Sequence, residues 1–232
     1  MRTGDRPGSC IRSTYRQISG TEPSAPPAML HVIDHPLAHH AITHLRDRTT
    51  KPATFRVLSH HISTLLTLEA TRDLGTRTIS VETPLETTTG QVLGQPLVVV
   101  PILRAGLSMV EPVANLFPDV SVGYIGIERD PVTHFARSYY CKLPPLAGAR
   151  VLLVDPMLAS GGSAVMALDV IKQNGATDIR MLNVVAAPEG VEAVHAAHPD
   201  VTVFAGALDR CLNASKYILP GLGDFGDRLY GT

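Results

Sequence analysis

The sequence has little cysteine, little lysine and no tryptophan. Its three cysteines, Cys10, Cys141 and Cys211, share no Cys-x-x-Cys spacing. Neither a zinc knuckle nor a disulfide-dense scaffold is therefore indicated, and a reducing, cytoplasmic location is expected. Lys and Arg number 20 against 21 Asp and Glu, which leaves no basic field to hold a nucleic acid. The apolar runs are far shorter than the ~20 residues that span a bilayer. We therefore expect no nucleic-acid partner and no membrane segment.

The composition favours one folded domain preceded by an arm. Hydrophobic residues make up 44% of the 232 positions, which is enough for a sizeable core. Residues 1–28 are rich in Gly, Pro, Ser, Thr and Arg and have no apolar periodicity, so they are predicted to be a disordered arm. Residues 29–232 are predicted to form a single domain.

Two hydrophobic patterns follow the arm. Residues 31–74 have helical spacing that is broken at residues 49–52, which predicts two helices. Histidines recur there without an HExxH motif or a cysteine partner, so a solvated or interface face is favoured over a metal site. After residue 97, short apolar runs alternate with helical stretches, which is typical of an α/β fold with a doubly wound, mainly parallel sheet. The predicted strands are 97–101, 120–127, 150–154, 179–186 and 201–207, the predicted helices are 107–116, 163–174 and 191–197, and residues 129–148 are predicted to be a long functional loop.

One segment carries a chemical signal. The apolar run at 151–154 leads into Asp155, then into the small-residue stretch Pro-Met-Leu-Ala-Ser-Gly-Gly at 156–162, and then into a helical pattern. Ligands of open α/β sheets lie outside the carboxyl ends of the strands, and a helix N-terminus attracts anions. The segment therefore predicts a phosphate cradle in which Asp155 accepts hydrogen bonds from sugar hydroxyls. No GxGxxG or GxxxxGK[ST] motif occurs, which argues against a nucleoside triphosphate. An ordinary glycine-rich turn explains the glycines but not the whole string.

Four motifs together carry a family resemblance. The string Asp-Pro-Met-Leu-Ala-Ser-Gly-Gly-Ser at 155–163 resembles the 5-phosphoribosyl 1-pyrophosphate (PRPP) loop of the type I phosphoribosyltransferases, in the form of their uracil-specific branch. The stretches at 101–107, 186–190 and 217–224 agree with that branch in the same order, and the resemblance covers about residues 35–232. It implies the family's sheet with a C-terminal base-binding hood, and conversion of uracil and PRPP to UMP and pyrophosphate in pyrimidine salvage. It also implies Mg²⁺ bound with PRPP rather than by a metal site of the protein, a homo-oligomer and, as in some relatives, a GTP effector.

The resemblance also assigns roles to single residues. It makes Asp155, Arg104 and Asp224 catalytic. The residues implied for PRPP are Arg104, Arg129, Asp155, Pro156, Met157, Leu158, Ala159, Ser160, Gly161, Gly162, Ser163 and Asp224, and those implied for uracil are Ile218, Gly223, Asp224 and Phe225. The chain departs from the wider family at two positions. Pro156 stands where many phosphoribosyltransferases, though not the uracil enzymes, have a second acid, and Glu128 stands where several relatives have an aromatic residue.

Several alternatives stay open at the level of sequence. Arg129 is also compatible with a solvent-facing pair with Asp130, and Asp224 with a structural cap of a glycine turn. Phe225 either covers the base or packs in the core, and no general base is evident. For the whole molecule, the alternatives are a regulatory protein that keeps the fold and a transferase for another base. The balanced charge argues against an RNA-binding regulator, and the stretch at 217–224 argues against another base.

Overall fold

The computed structural model describes residues 30–129 and 136–232, and the side chains of all of these except 129 and 136–138. The predicted arm, residues 1–28, lies outside the described residues. The helices are α1 (Pro36–Arg46), α2 (Pro52–Ala70), α3 (Val110–Leu116), α4 (Gly162–Gln173), α5 (Pro188–Ala197) and α6 (Phe225–Tyr230), with a 3₁₀-helix at Ala105–Met109. The strands are β1 (Leu30–Val32), β2 (Thr76–Glu82), β3 (Thr87–Leu93), β4 (Leu97–Leu103), β5 (Ser121–Val122), β6 (Tyr124–Arg129), β7 (Ala136–Lys142), β8 (Arg150–Val154), β9 (Met157–Leu158), β10 (Asp178–Ala186), β11 (Thr202–Leu208), β12 (Cys211–Leu212) and β13 (Ile218–Leu219).

The main sheet runs in the order β1-β11-β10-β8-β4-β6-β7, with β5 beside β4 and β9 beside β10. Every pairing in it is parallel except that of β6 with β7. Since parallel strands end at the same edge, β4, β8 and β10 bring Leu103, Val154 and Ala186 to one rim. That rim carries three of the four motifs.

The sheet is buried on both faces. Along β8, Val151 and Leu153 pack in one core while Leu152 and Val154 pack in the other, because successive side chains of a strand point to opposite faces. Helices α1, α2, α3 and α6 pack on the face that carries Leu152 and Val154, and α4 and α5 pack on the face that carries Val151 and Leu153. This is the predicted doubly wound α/β fold, and its strands read as unbroken apolar runs for that reason.

Most predicted elements are confirmed, and one is wrong in part. The five predicted strands correspond to β4, β5 with β6, β8, β10 and β11, and the predicted helix at 107–116 is divided into the 3₁₀-helix and α3. The predicted loop at 129–148 contains β7, which pairs antiparallel with β6 through Ile125 and Cys141. Because β7 is the last strand of the sheet, Tyr139 and Tyr140 remain exposed, and the segment lacks the apolar run of a central strand.

The β2–β3 hairpin was not predicted from the sequence. It forms a separate two-stranded sheet in which Thr76 pairs with Leu93 and Glu82 pairs with Thr87. Its threonines and valines favour strands, but nearly all of its side chains are exposed, so no alternation of apolar and polar residues marks it. Among the described residues, no helix is long and apolar enough to cross a bilayer.

Candidate active site

The turn that follows β4 lies directly against the end of β8. A Cβ atom on Gly106 would lie 2.5 Å from the carbonyl oxygen of Val154, so only glycine permits this approach. The peptide bond between Leu103 and Arg104 is cis. The close packing brings Arg104, at the end of β4, to the same rim as Asp155, at the end of β8. The structure therefore places these two predicted residues at one edge of the sheet.

Asp155 is partly buried and held by its own backbone. Its N–H donates to the carbonyl of Leu182 at 3.2 Å, and its carbonyl accepts from the side-chain amide of Asn183 at 2.6 Å. Burial raises the pKa of the Asp155 carboxyl to about 7, against a smaller lowering by the backbone N–H of Met157. Burial thus favours the protonated form of this carboxyl, whereas any donor or cation brought to it favours the carboxylate.

The phosphate loop, residues 157–163, opens α4. Gly161 has a φ of +81° and is the residue before the helix, and a Cβ atom there would lie 2.7 Å from the Cβ of Ala193. At Gly162 the opposite holds, since a Cβ atom would meet nothing within 4 Å. The space in front of the first helical turn is therefore open, and the N–H groups of a first turn have no partners within the helix. This geometry suits an anion.

The Ala-Ala-Pro-Glu-Gly motif, residues 186–190, packs against the backbone of the phosphate loop. A Cβ atom on Gly190 would lie 2.5 Å from the carbonyl oxygen of Ala159, and the N–H of Ala187 donates to the carbonyl of Leu158 at 2.9 Å. The side chain of Glu189 accepts from the backbone N–H of Leu212 at 2.9 Å, which ties this support to the hairpin β12–β13. The motif therefore has a positional role, which the sequence resemblance had not assigned.

A cavity of about 570 Å³ lies between the phosphate loop and the base loop, residues 217–224. Met157 and Ala159 line it from the first loop, and Ile218 and Gly223 line it from the second. Asp224 and Phe225 also line it. The cavity therefore brings all four residues predicted for uracil together with Met157 and Ala159, which were predicted for PRPP.

A second cavity, of about 760 Å³, lies on the other side of Asp224. Arg104, Glu128, Tyr139 and Asp224 are among its lining residues. Asp224 is thus common to both cavities. Arg129 ends β6, but its side chain lies outside the described residues. Among the described residues, no group of three or more His, Cys, Asp or Glu side chains could hold a metal ion.

Two of the open alternatives gain a geometric answer. Phe225 is 2% exposed, and its ring packs edge-on against that of Phe55, with the two ring centres 5.2 Å apart. The ring therefore belongs to the core, even though the residue borders the cavity. Asp224 is the N-cap of α6, and its carboxylate accepts from the N–H of Asp227 at 2.9 Å. The structural cap is therefore real, and the exposed side chain still faces both cavities.

Sequence reasoning missed two contributors. Tyr139 lines the larger cavity from β7, which had been taken for part of a loop. Asn183 holds the backbone of Asp155 and is fully buried. The signal for Asn183 was present, because it is the one polar residue in the apolar stretch Met-Leu-Asn-Val-Val-Ala at 181–186.

Known proteins resemble this chain over nearly all of the described fold. A family model described as uracil phosphoribosyltransferase matches residues 32–232. The uracil phosphoribosyltransferase of Symbiobacterium thermophilum is 51% identical over 203 residues, which are 87% of this chain and 97% of that protein. That of Natranaerobius thermophilus is 52% identical over 205 residues, 88% of this chain and 98% of that protein. The structure of the AQ2163 protein of Aquifex aeolicus superposes with a TM-score of 0.84 at 36% identity, covering 88% of this chain and 99% of that one.

Proposed function

Because this chain belongs to the uracil phosphoribosyltransferase family, we propose that it converts uracil and PRPP to UMP and pyrophosphate, a reaction of pyrimidine salvage. The observation that carries the assignment to these residues is the shared cavity. The phosphate loop and the base loop line the same cavity of about 570 Å³. Asp224 lines this cavity and also the cavity that Arg104 lines. The reaction needs adjoining places for a sugar phosphate, a base and a leaving pyrophosphate. The phosphate loop, the base loop and the cavity beside Arg104 would provide them.

The phosphate loop is proposed to bind the 5-phosphate of PRPP. Backbone N–H groups at the start of α4 and the hydroxyls of Ser160 and Ser163 would be the donors, and the helix dipole favours the negative charge. The open space above Gly162 supports this role, because any side chain there would occupy the place of the anion.

Asp155 is proposed to accept hydrogen bonds from the ribose hydroxyls. The transition state of pentosyl transfer places positive charge on the sugar ring, and a nearby carboxylate stabilises that charge more than it stabilises the ground state. Since burial raises the pKa of Asp155 to about 7, binding of hydroxyl donors and of the cation that accompanies PRPP would draw the residue to its charged form.

Arg104, together with Arg129, is proposed to bind the pyrophosphate, because a guanidinium can donate two parallel hydrogen bonds to a phosphate. Mg²⁺ would be held mainly by oxygens of PRPP, and Asp155 would be a carboxylate able to assist it. Mg²⁺ normally keeps water and takes only one or two carboxylates beside substrate phosphates, so the single acid at 155–156 fits this arrangement. When bound, the ion would neutralise charge on the leaving group. Glu128 borders the same cavity as Arg104, and its charge disfavours a bare pyrophosphate there.

Uracil is proposed to be recognised by the backbone of the base loop. Ile218 and Gly223 line the cavity, and main-chain donors and acceptors suit the carbonyl and imide groups of the base edge. Cytosine lacks the N3–H of uracil, and buried groups left unpaired can cost roughly 10⁴-fold in discrimination. One oxygen of Asp224 accepts from the N–H of Asp227, and because the side chain borders both cavities, its other oxygen can accept from a substrate.

The family resemblance also leads us to propose a homo-oligomer, a GTP effector and a cytoplasmic location. Large apolar side chains on the helices are exposed, with Leu37 at 61% and Val57 at 53%, which supports an interface on that face. The proposed assembly is tested by sedimentation, and the effector by adding GTP to the assay below.

The deciding experiment offers Mg²⁺ and PRPP with uracil, cytosine, adenine or orotate in turn and follows pyrophosphate release. We expect release with uracil only. Release with none of the bases would favour the regulatory alternative, and release with a different base would overturn the substrate assignment.

A further inference from the structure

Two residues far from the base loop in sequence hold a single peptide of that loop. Asp209 follows β11, and its side chain is only 2% exposed, while Arg46 is the last residue of α1. The guanidinium of Arg46 donates to both carboxylate oxygens of Asp209, at 2.9 and 2.5 Å. Asp209 accepts from the N–H of Gly221 at 2.8 Å, and Arg46 donates to the carbonyl of Gly221 at 2.9 Å. Both polar groups of Gly221 are therefore bound by one ion pair, of which Asp209 is buried and Arg46 is 25% exposed.

Gly221 lies where the backbone of the base loop packs closely against itself. Its φ is +62°, and a Cβ atom there would lie 2.3 Å from the carbonyl oxygen of Ile218. Ile218 and Gly223 lie on either side of it and both line the base cavity. Because Gly221 touches Ile218 directly, any rotation of its peptides would reorient the backbone groups proposed to read uracil.

A second arginine fixes the other half of the loop. Arg228 donates to the carbonyls of Leu222 at 2.7 Å and Asp47 at 2.6 Å, and also to the carbonyl of Leu45. Its guanidinium lies 4.6 Å from the centre of the Phe55 ring. The end of α1 and the base loop are thus joined by two arginines, and the loop is attached to a helix rather than left to its own glycines.

We propose that Arg46 and Asp209 are positioning residues that set the geometry of uracil recognition. This inference rests on the proposed function. Neither residue is among those that line the two described cavities, so they act through Gly221 rather than by contact with a substrate. The paired, forked geometry is what fixes the peptide, because a lysine or a neutral partner cannot supply both parallel bonds.

The test compares Arg46→Lys and Asp209→Asn with the wild type. Both variants keep similar volume, and Arg46→Lys keeps the charge. We expect KM for uracil to rise roughly 10- to 100-fold, as a displacement of about 1 Å in a binding group does, while KM for PRPP changes less than about twofold. Arg46→Gln should raise KM for uracil more than Arg46→Lys, since the lysine still compensates Asp209.

Arg150→Lys is the matched control. Like Arg46, Arg150 donates to carboxylates, here those of Asp73 at 2.5 Å and Asp178 at 2.9 Å, but it is more deeply buried and begins β8 at the opposite end of the sheet. It should lower Tm without changing the ratio of the two KM values.

The outcomes separate the inference from the proposed function. A wild-type protein that releases no pyrophosphate with uracil defeats the proposed function. An active wild type whose Arg46→Lys variant shows equal changes in both KM values, or the same pattern as Arg150→Lys, defeats the inference. Circular dichroism checks folding, and if Asp209→Asn is unfolded, the result for Arg46→Lys decides.

Discussion

The role proposed for Asp155 needs a charged carboxylate, but the residue occupies a place that favours its neutral form. Burial raises the pKa of its carboxyl from 3.8 to about 7, so the folded state binds a proton more tightly than the unfolded chain does. The stability that this group contributes is therefore complete below about pH 4 and is lost as the pH rises through about 7. Ionisation of Asp155 in the folded state thus costs free energy, and hydrogen-bond donors of the substrate or a cation can offset that cost.

Asp155→Asn should accordingly separate stability from activity. We expect turnover to fall at least roughly 100-fold, while the free energy of unfolding at about pH 8 rises relative to the wild type and the difference shrinks toward about pH 5. Urea denaturation at both pH values measures it. Asp119→Asn, at an exposed aspartate before β5, serves as the control. Parallel pH dependences for the wild type and Asp155→Asn would contradict the pKa argument, and full turnover would remove Asp155 from the mechanism.

Arg104→Ala should weaken PRPP binding far more than uracil binding. The side chain lines the cavity assigned to the pyrophosphate and is absent from the lining of the base cavity. Hydrogen bonds to charged groups are each worth about 1.5–3 kcal/mol, so the loss is expected to be on the order of 10- to 100-fold in PRPP affinity. Titration calorimetry with Mg²⁺ and PRPP measures this directly. An unchanged PRPP affinity would rule out the assignment of Arg104.

At the residue scale, the sequence predicted the positions of polar residues at the sheet edge better than it predicted the packing of the core. Asp155 and Arg104 follow apolar strands, and the rule that ligands lie at the carboxyl ends of parallel strands placed them together before any coordinates. Phe225 could not be placed in that way, because an aromatic residue beside a glycine turn suits either a ligand or a core. Its contact with Phe55 depends on how α6 meets α2, which no local pattern in the sequence records.

Among the elements, the phosphate loop depends on the turn at 186–190 for its position. The backbone of Ala159 passes so close to Gly190 that no side chain fits between them. Gly190→Ala should therefore displace the loop and raise KM for PRPP at least about tenfold, with a smaller effect on KM for uracil. Steady-state kinetics with each substrate varied in turn measure the split. Gly75→Ala, where a Cβ atom would meet nothing within 4 Å, is the control. If both variants behave alike, the turn is not a support of the loop.

Two of the elements that escaped prediction, the β2–β3 hairpin and β7, differ from the predicted strands in burial. Buried strands such as β8 and β10 are apolar throughout because both faces are covered, and the sequence marks them clearly. The side chains of the β2–β3 hairpin and of residues 139–142 in β7 are mostly exposed, so these sequences resemble loops. The ion pair between Arg46 and Asp209 was missed for another reason. It joins residues 163 positions apart, and no local pattern in the sequence relates them.

For the whole molecule, the boundary of the domain can be tested at β1. Strand β1 begins at Leu30, pairs with β11 through Leu30 and Val203, and is followed by the buried Ile33. The family model begins at residue 32, and the two bacterial relatives are matched over 97% and 98% of their lengths by 87% and 88% of this chain. Residues 1–28 thus lie outside the family match.

Removal of residues 1–28, so that the chain starts at Met29, should leave kcat and both KM values unchanged and shift Tm by less than about 2 °C, because β1 is kept whole and the family match begins only at residue 32. A longer deletion, to Asp34, removes β1 and Ile33 and should lower Tm by several degrees, because a burial of apolar side chains and a parallel pairing disappear. Differential scanning calorimetry and the pyrophosphate assay compare the two chains. A loss of stability or activity in the shorter deletion would show that the N-terminal arm takes part in the domain, contrary to the prediction from its composition.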